Sequence, residues 1–467
     1  MADLNPSPRV RVGVTGLNSA GKTVFLTAIV HALYHRGGIA GVSAVRDGRL
    51  KGIARLPAHA EDAASGFPYE ANADAITGVS GTPRWPDSTD RVSKAVIALR
   101  HTPSSWFTRK LGDRELRVEL VDYPGEWLLD VLLAKYDYDE WSRALFNEME
   151  TPEAGPEAKA FLNYVNNLEP DDPHDVDRHA RTAAHLFRDY VLARREANGR
   201  ANRLHPGRFL IPGPGMDVQM PVLSFAPLPE HLRESGSHSA IRRIPGIRRT
   251  LSLWQTMAER FDGYRRTVVK PFFNTTLSRL DRQIVLVDLL GHLARDGAGV
   301  PLLDGELRDL QESMRIGRGW LPNRIAPSID RVLYASSKAD LVPDDQHDAL
   351  LERMRRAVAN ASESVRFRGA ETRVMTLSAL KATWEVDADD APDRRYVAGR
   401  HADGNTYMHF PGSVARARLP MDDDARTTAA PFELERFQPP TGLRRHDAWP
   451  HYRLDRVIEF ILGDRMA

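Results

Sequence analysis

The run Gly16-Leu17-Asn18-Ser19-Ala20-Gly21-Lys22-Thr23 sets two glycines, a lysine and a hydroxyl at the spacing of a loop that wraps phosphates. Glycine lets the backbone close around negative charge, so loop amides and the N-terminus of a following helix all aim at it. Asn18, Ser19, Ala20, Gly21, Lys22, Thr23 and Val24 are therefore the candidate phosphate-binding residues. Lys22 would lie against the β- and γ-phosphates, and the Thr23 hydroxyl would ligate Mg²⁺. Asp122-Tyr123-Pro124-Gly125 offers a carboxylate to hold Mg²⁺ through water and a Gly125 amide to sense the γ-phosphate. In Ser337-Lys338-Ala339-Asp340, the Asp340 carboxylate can accept from both N1–H and N2–H₂ of guanine, a donor pair adenine lacks. A site whose buried acceptors go unpaired rejects the wrong base. The Lys338 stem would cover the ring, and Ser337 stands where Asn is more usual. One helix later, Ser378-Ala379-Leu380 would bring the Ala379 and Leu380 amides to the guanine O6.

Each short run also has an ordinary reading, as an Asp-initiated turn or a surface tetrapeptide. Asp288-Leu-Leu-Gly291 repeats the D-x-x-G spacing and competes for the metal-linked role. Asp122 is preferred, because Asp288 comes later and leads into what reads as a common strand-to-helix join. Thr89 lies just ahead of a hairpin, where a switch threonine reaches Mg²⁺ and the γ-phosphate; a Ser/Thr turn fits it nearly as well. Glu126 follows Gly125, where a water-orienting residue belongs. A carboxylate there meets the like charge of the phosphate, so slow turnover is expected. Lys22, Thr89 and Glu126 make the candidate catalytic set, and Thr23, Thr89 and Asp122 the candidate metal set.

These groups need a scaffold that gathers them. Val10 to Val14 reads as a buried strand, followed by an apolar helical pattern through Val24, Phe25, Ala28, Ile29, Ala32 and Leu33. Residues 39–90 read as a long connection with short helical pieces. Val92 to Arg100 and Glu115 to Val121 form a hairpin whose second strand can lie beside the first strand of the chain. Helical spacing marks Leu128 to Phe146, Ala158 to Leu168, Asp175 to Ala197 and Leu251 to Leu280. Ile284 to Asp288, Arg331 to Ser337 and Thr372 to Leu377 are strands, with a helix over Asp344 to Ala361. This alternation predicts a mostly parallel, doubly wound sheet that gathers ligands at its strands' C-terminal ends. Arg395 to Arg400, Tyr407 to Phe410 and Glu433 to Phe437 are β-prone, and Leu454 to Leu462 is a closing amphipathic helix.

The 467 residues include no cysteine, which excludes disulfides, thiolate metal sites and cysteine catalysis. The net charge of +1 gives no general pull toward nucleic acid. Neither a signal peptide nor an apolar run long enough to span a bilayer is evident, so a cytoplasmic location is expected. Ile241-Arg-Arg-Ile-Pro-Gly-Ile-Arg-Arg249 is basic and apolar; it fits a solvated loop better than peripheral contact with an anionic membrane.

The phosphate loop resembles that of Arf-type and other Ras-like GTPases. The longer run from Val12 to Ala28 resembles the bacterial YcjX family of stress-associated GTP-binding proteins. So do Trp85-Pro-Asp-Ser-Thr89, Asp122 to Trp127, Pro206 to Pro212, Asp281 to Asp288, Lys338-Ala-Asp340 and His451 to Arg456. The resemblance implies an α/β fold: a doubly wound P-loop, Ras-like sheet with a large helical insertion and a small β-rich insertion. The expected division is core over 1–130 and 281–384, helical insertion over 131–280, β-prone insertion over 385–450 and a closing helix over 451–467. It also implies GTP and GDP binding, a stress-related role in bacteria and an unidentified protein effector. Three functions remain open: a slowly hydrolysing switch, a nucleotide-held interaction module, or an ATPase or kinase using the same loop.

Overall fold

A computed structural model of the protein describes residues 8–16, 20–35, 38–56, 65–87, 90–110, 112–168, 175–198, 203–234, 251–294, 329–387, 394–417 and 432–467, with scattered positions between 303 and 313. The chain divides into two compact units. The first is Met1–Pro124, Arg279–Arg308 and Ile325–Ala467, and the second is Gly125–Ser278 and Asp309–Arg324.

The first unit is built on an eight-stranded sheet of β1 (Arg9–Gly16), β2 (Leu50–Leu56), β3 (Ser65–Gly66), β4 (Ser93–His101), β5 (Arg114–Asp122), β6 (Arg282–Val287), β7 (Arg331–Ser336) and β8 (Glu371–Thr376). Its order is β2-β4-β5-β1-β6-β7-β8, with β3 beside β4. Strands β5, β1, β6, β7 and β8 run parallel, and β4 runs antiparallel to both β5 and β2. The expected hairpin is β4–β5, and its second strand does lie beside β1. Every residue of β6 is buried, as a strand covered on both faces requires. Helix α1 (Lys22–His35) and the closing helix Leu454–Leu462 share one apolar core with the sheet, through Phe25, Leu26, Ile29, Leu33, Val457, Ile458 and Ile461. At Gly13 there is no room beside β1 for a side chain. A Cβ built there would stand 2.5 Å from both Leu280 Cδ1 and Gln283 Oε1.

Two sequence expectations are corrected in this unit. The 39–90 connection contains β2, which extends the sheet beyond β4. Its Lys, Gly, Ala and Arg are poor strand formers, and edge pairing overrides that weak propensity. Glu433 to Phe437 is not a strand. The Phe437 carbonyl instead accepts the Trp85 indole N–H at 2.8 Å, and its ring packs on Val397. The small antiparallel sheet is β9 (Thr383–Asp387), β10 (Arg395–Arg400) and β11 (Thr406–His409), with β10 central.

The second unit is helical. Leu128 to Phe146, expected as one helix, is two: Trp127–Leu133 and Tyr138–Met149. The break is chemical. The Asp137 carboxylate accepts the Glu140 N–H at 2.8 Å, and Glu140 accepts the Asp137 N–H in return, a capping box that starts a new helix. The helix starting at Leu253 passes through a π-helical turn at Arg265–Val269 and ends at Thr275, not Leu280. Pro271 lies just beyond that turn and has no N–H to continue a regular ladder. Trp141, Phe161, Phe187, Phe209, Phe225 and Phe261 form this unit's core.

Candidate functional site

The candidate phosphate end of the site is set by β1, β5 and α1. Strand β1 brings buried Val12 and Val14 up to Gly16, and α1 begins at Lys22. Gly21 adopts φ +75°, a left-handed conformation that few side chains tolerate. The Phe25 N–H bonds back to the Gly21 carbonyl at 2.9 Å, closing the first turn of the helix. Val14 pairs in register with Asp122, the last residue of β5. That register brings the Lys22 ammonium to 3.7 Å from the Asp122 carboxylate, whose side chain is 2% exposed. Ala20 is buried, and Thr23 and Val24 are partly buried on the first turn of α1. Asn18, Ser19 and Thr89 lie outside the described residues.

The candidate base end is set by β7, β8 and the segments that follow them. Ser337 is held by two bonds to the Val287 carbonyl, from its N–H at 3.0 Å and its hydroxyl at 3.3 Å. Lys338 takes φ +60°, which is costly for a lysine. It is fixed on both sides: the Ala339 N–H donates to the Leu377 carbonyl at 3.0 Å, and Lys338 Nζ reaches Asp288 Oδ2 at 2.6 Å. Asp340 is buried and accepts the Ala382 N–H at 2.8 Å. Burial raises the pKa of its carboxyl, while bonds from Ser378 and the Ala382 N–H pull it back. The Leu377 N–H donates to the Ser336 carbonyl at 2.9 Å, so the Ser378-Ala379-Leu380 loop leaves the sheet beside the Ser337–Asp340 loop. Leu380 packs with Trp449, Ala73 and Ile76 in an apolar cluster that also takes in Val24.

Asp288 does different work from Asp122. Its carboxylate caps the short helix Leu289–Leu293 through the Gly291 N–H at 3.1 Å and also holds Lys338. Sequence reasoning missed that second contact, since nothing in the spacing links positions 288 and 338.

Gly125 and Glu126 open the second unit. The Gly125 carbonyl accepts the Leu128 N–H at 3.0 Å, and the Glu126 carboxylate accepts Arg195 Nη2 at 2.8 Å. Arg208 stacks over the Trp127 indole at 3.1 Å from its centroid, and the indole N–H donates to the Ile211 carbonyl. A Cβ at Gly207 would meet the Glu126 carbonyl at 2.1 Å, so only glycine fits there. Asp130 is buried beneath, accepting the Gly207 N–H at 2.6 Å and the Tyr264 hydroxyl at 2.5 Å. Burial pushes the Asp130 pKa up to about 6, against the pull of Arg208 and these bonds. Arg195 could not have been chosen from the sequence, which offers many arginines.

The donor set at the phosphate end suits Mg²⁺: one hydroxyl at Thr23 and one buried carboxylate at Asp122. Magnesium keeps several waters and takes phosphate oxygens, and so needs only one or two protein ligands. Among the described residues no group of three or more His, Asp or Glu side chains forms a cage for a metal. No helix among them is long and apolar enough to cross a membrane, and Ile241 to Arg249 lies outside them.

The mostly parallel sheet, with a glycine-bounded loop between β1 and α1, is consistent with a P-loop, Ras-like protein. The chain belongs to the YcjX-like family, DUF463, which it matches over residues 10–466. A relative in Shewanella oneidensis, named Ras-like GTPase YcjX, is 30% identical over 484 aligned positions, covering 98% of this chain and 94% of its own. A relative of the same name in Escherichia coli is 32% identical over 473 positions, covering 98% and 96%.

Proposed function

We propose that the chain binds GDP and GTP with Mg²⁺ in the cytoplasm and hydrolyses GTP slowly, as a nucleotide-dependent switch in a bacterial stress response. The observation that carries this reading is the pairing of Lys22 with buried Asp122 at 3.7 Å. A phosphate-binding lysine and a metal-linked carboxylate belong together in this way in a triphosphate site. The relatives' name supports guanine as the base, and buried Asp340 is the residue to read it.

The residues divide the work. The Asn18–Val24 backbone and Lys22 take up phosphate charge, and the Gly125 amide senses the γ-phosphate. Thr23, Asp122 and Thr89 would hold Mg²⁺, which neutralises charge on the β- and γ-oxygens when bound. Asp340 accepts the guanine N–H groups, Lys338 covers the ring, and the Ala379 and Leu380 amides meet O6. Ser337 and Ser378 fix these loops through their own hydrogen bonds. The Glu126 carboxylate is engaged by Arg195, and a carboxylate meets like charge at a γ-phosphate, which supports slow turnover.

The same ion pair supports a second reading, a nucleotide-stabilised interaction module with incidental turnover. Hydrogen exchange of residues 131–280 in GDP and in a non-hydrolysable GTP analogue separates the two, and identical protection rejects the switch. Competition between GTP and ATP for the purified protein tests the base assignment. An ATP preference would move the chain to the ATPase or kinase class. If Glu126→Ala leaves single-turnover hydrolysis unchanged, Glu126 has no catalytic part.

A further inference from the structure

The segment from Leu443 to Tyr452 has no helix or strand of its own, and half of its residues are exposed, yet Trp449 within it is 4% exposed. One end of this segment grips the base-side loop. Ser378 and Tyr452 exchange two backbone bonds, of 3.1 and 2.8 Å, and the Lys381 N–H donates to the Pro450 carbonyl at 2.8 Å. The middle grips α1, the helix that carries Lys22. The Trp449 indole stacks on the His31 imidazole with centroids 3.7 Å apart and planes 13° from parallel. His31 Nε2 donates to the Asp447 carbonyl at 2.7 Å, while Nδ1 accepts from the Tyr69 hydroxyl at 2.9 Å. Arg445 pairs with Asp74, and His451 Nε2 donates to the Gly38 carbonyl at 2.8 Å just past the end of α1. Leu380 and Val24, from opposite ends of the candidate site, both pack in the cluster that contains Trp449.

We propose that residues 443–452 form a strap that sets how long a guanine nucleotide stays bound, with Trp449 and His31 as its positioning pair. This rests on the guanine-nucleotide reading above. The strap ties the Ser378–Leu380 loop, which faces the base, to the helix that faces the phosphates. A half-exposed, irregular segment held by a few backbone bonds opens readily, because water replaces each bond as it breaks. A buried indole stacked on a ring is the anchor that opposes opening. With the anchor in place the loop cannot retreat from the base without moving α1. With the anchor removed, the loop opens alone and the nucleotide leaves.

The test is stopped-flow measurement of association and dissociation of a fluorescently labelled GDP on the full chain with Mg²⁺. Trp449→Ala is expected to raise the dissociation rate by more than about tenfold while the association rate changes by less than about twofold. Trp449→Phe keeps a stacking ring and should stay within about threefold of the parent. His31→Gln keeps a donor for the Asp447 carbonyl but loses the ring, and should also accelerate release. It serves as the second probe if Trp449→Ala does not fold. Parent-like dissociation from folded Trp449→Ala or folded His31→Gln overturns the strap and leaves the nucleotide reading standing. Failure of the parent to take up labelled GDP overturns the nucleotide reading, and the strap's role with it.

Discussion

Two D-x-x-G segments of this chain lie at the ends of parallel strands, and their carboxylates meet different cations. Asp122 ends β5 beside β1, is nearly inaccessible, and faces the ammonium of Lys22. Asp288 follows β6 on the other side of β1, caps a helix of five residues, and takes its cation from Lys338, fifty residues away. A carboxylate's role is therefore set by which cation its strand neighbours deliver, not by the tetrapeptide around it. Asp122 pairs with the lysine of the glycine loop, and Asp288 with Lys338, which it steadies at φ +60°.

That contrast can be broken by experiment. The largest expected effect is on turnover. Asp122→Ala should lower Mg²⁺-dependent single-turnover GTP hydrolysis by about a thousandfold, as expected for removing a group preorganised toward developing charge. Asp288→Ala should leave the hydrolysis of bound GTP within about threefold and act on nucleotide affinity instead. Equal losses from the two variants would erase the distinction. Next comes Lys22→Ala, expected to weaken GDP binding by roughly a hundredfold, the worth of one charge-assisted contact to phosphate. Titration calorimetry measures it, and a parent-like Kd would place phosphate elsewhere.

Smaller shifts sharpen the base end. Asp340→Asn should move preference from guanine toward xanthine nucleotides, by at least about tenfold in the ratio of Kd values. An unchanged ratio would remove Asp340 from base reading.

The smallest effect at neutral pH concerns His31, whose role is likewise set by its neighbours. Burial lowers its pKa from 6.5 to about 4, helped by His35 and His446 and opposed by the Asp447 carbonyl and carboxylate. The folded state thus binds this proton less readily than the unfolded chain. The stability involved is fully present above pH 6.5 and is lost as pH falls toward 4, about 3 kcal/mol in all. Melting curves across that range should show the loss, and His31→Gln should flatten it. An identical slope in the variant would assign the acid sensitivity to other groups.

Much of the first unit was legible in the chain because its signals are local. A buried strand, a glycine loop and an apolar helix occur in sequence around Lys22, and the β4–β5 hairpin and the three later parallel strands announce themselves by apolar runs. Strand β2 was not legible. Its residues have weak strand propensity, and only pairing with β4 makes it a strand. The helix break at Asp137 was written as a capping box, yet the apolar periodicity on both sides hid it.

By itself the sequence determined which candidates for chemistry were available: a glycine loop with a lysine, carboxylates at strand ends, and a Ser-Lys-x-Asp run. Those depend on residue type and on spacing within a few positions. Only the tertiary structure decided the pairings: Asp122 with Lys22, Asp288 with Lys338, Glu126 with Arg195 and His31 with Trp449. Each joins side chains between fifty and more than four hundred positions apart. Sheet register and packing choose such partners, and no local pattern in the chain encodes them.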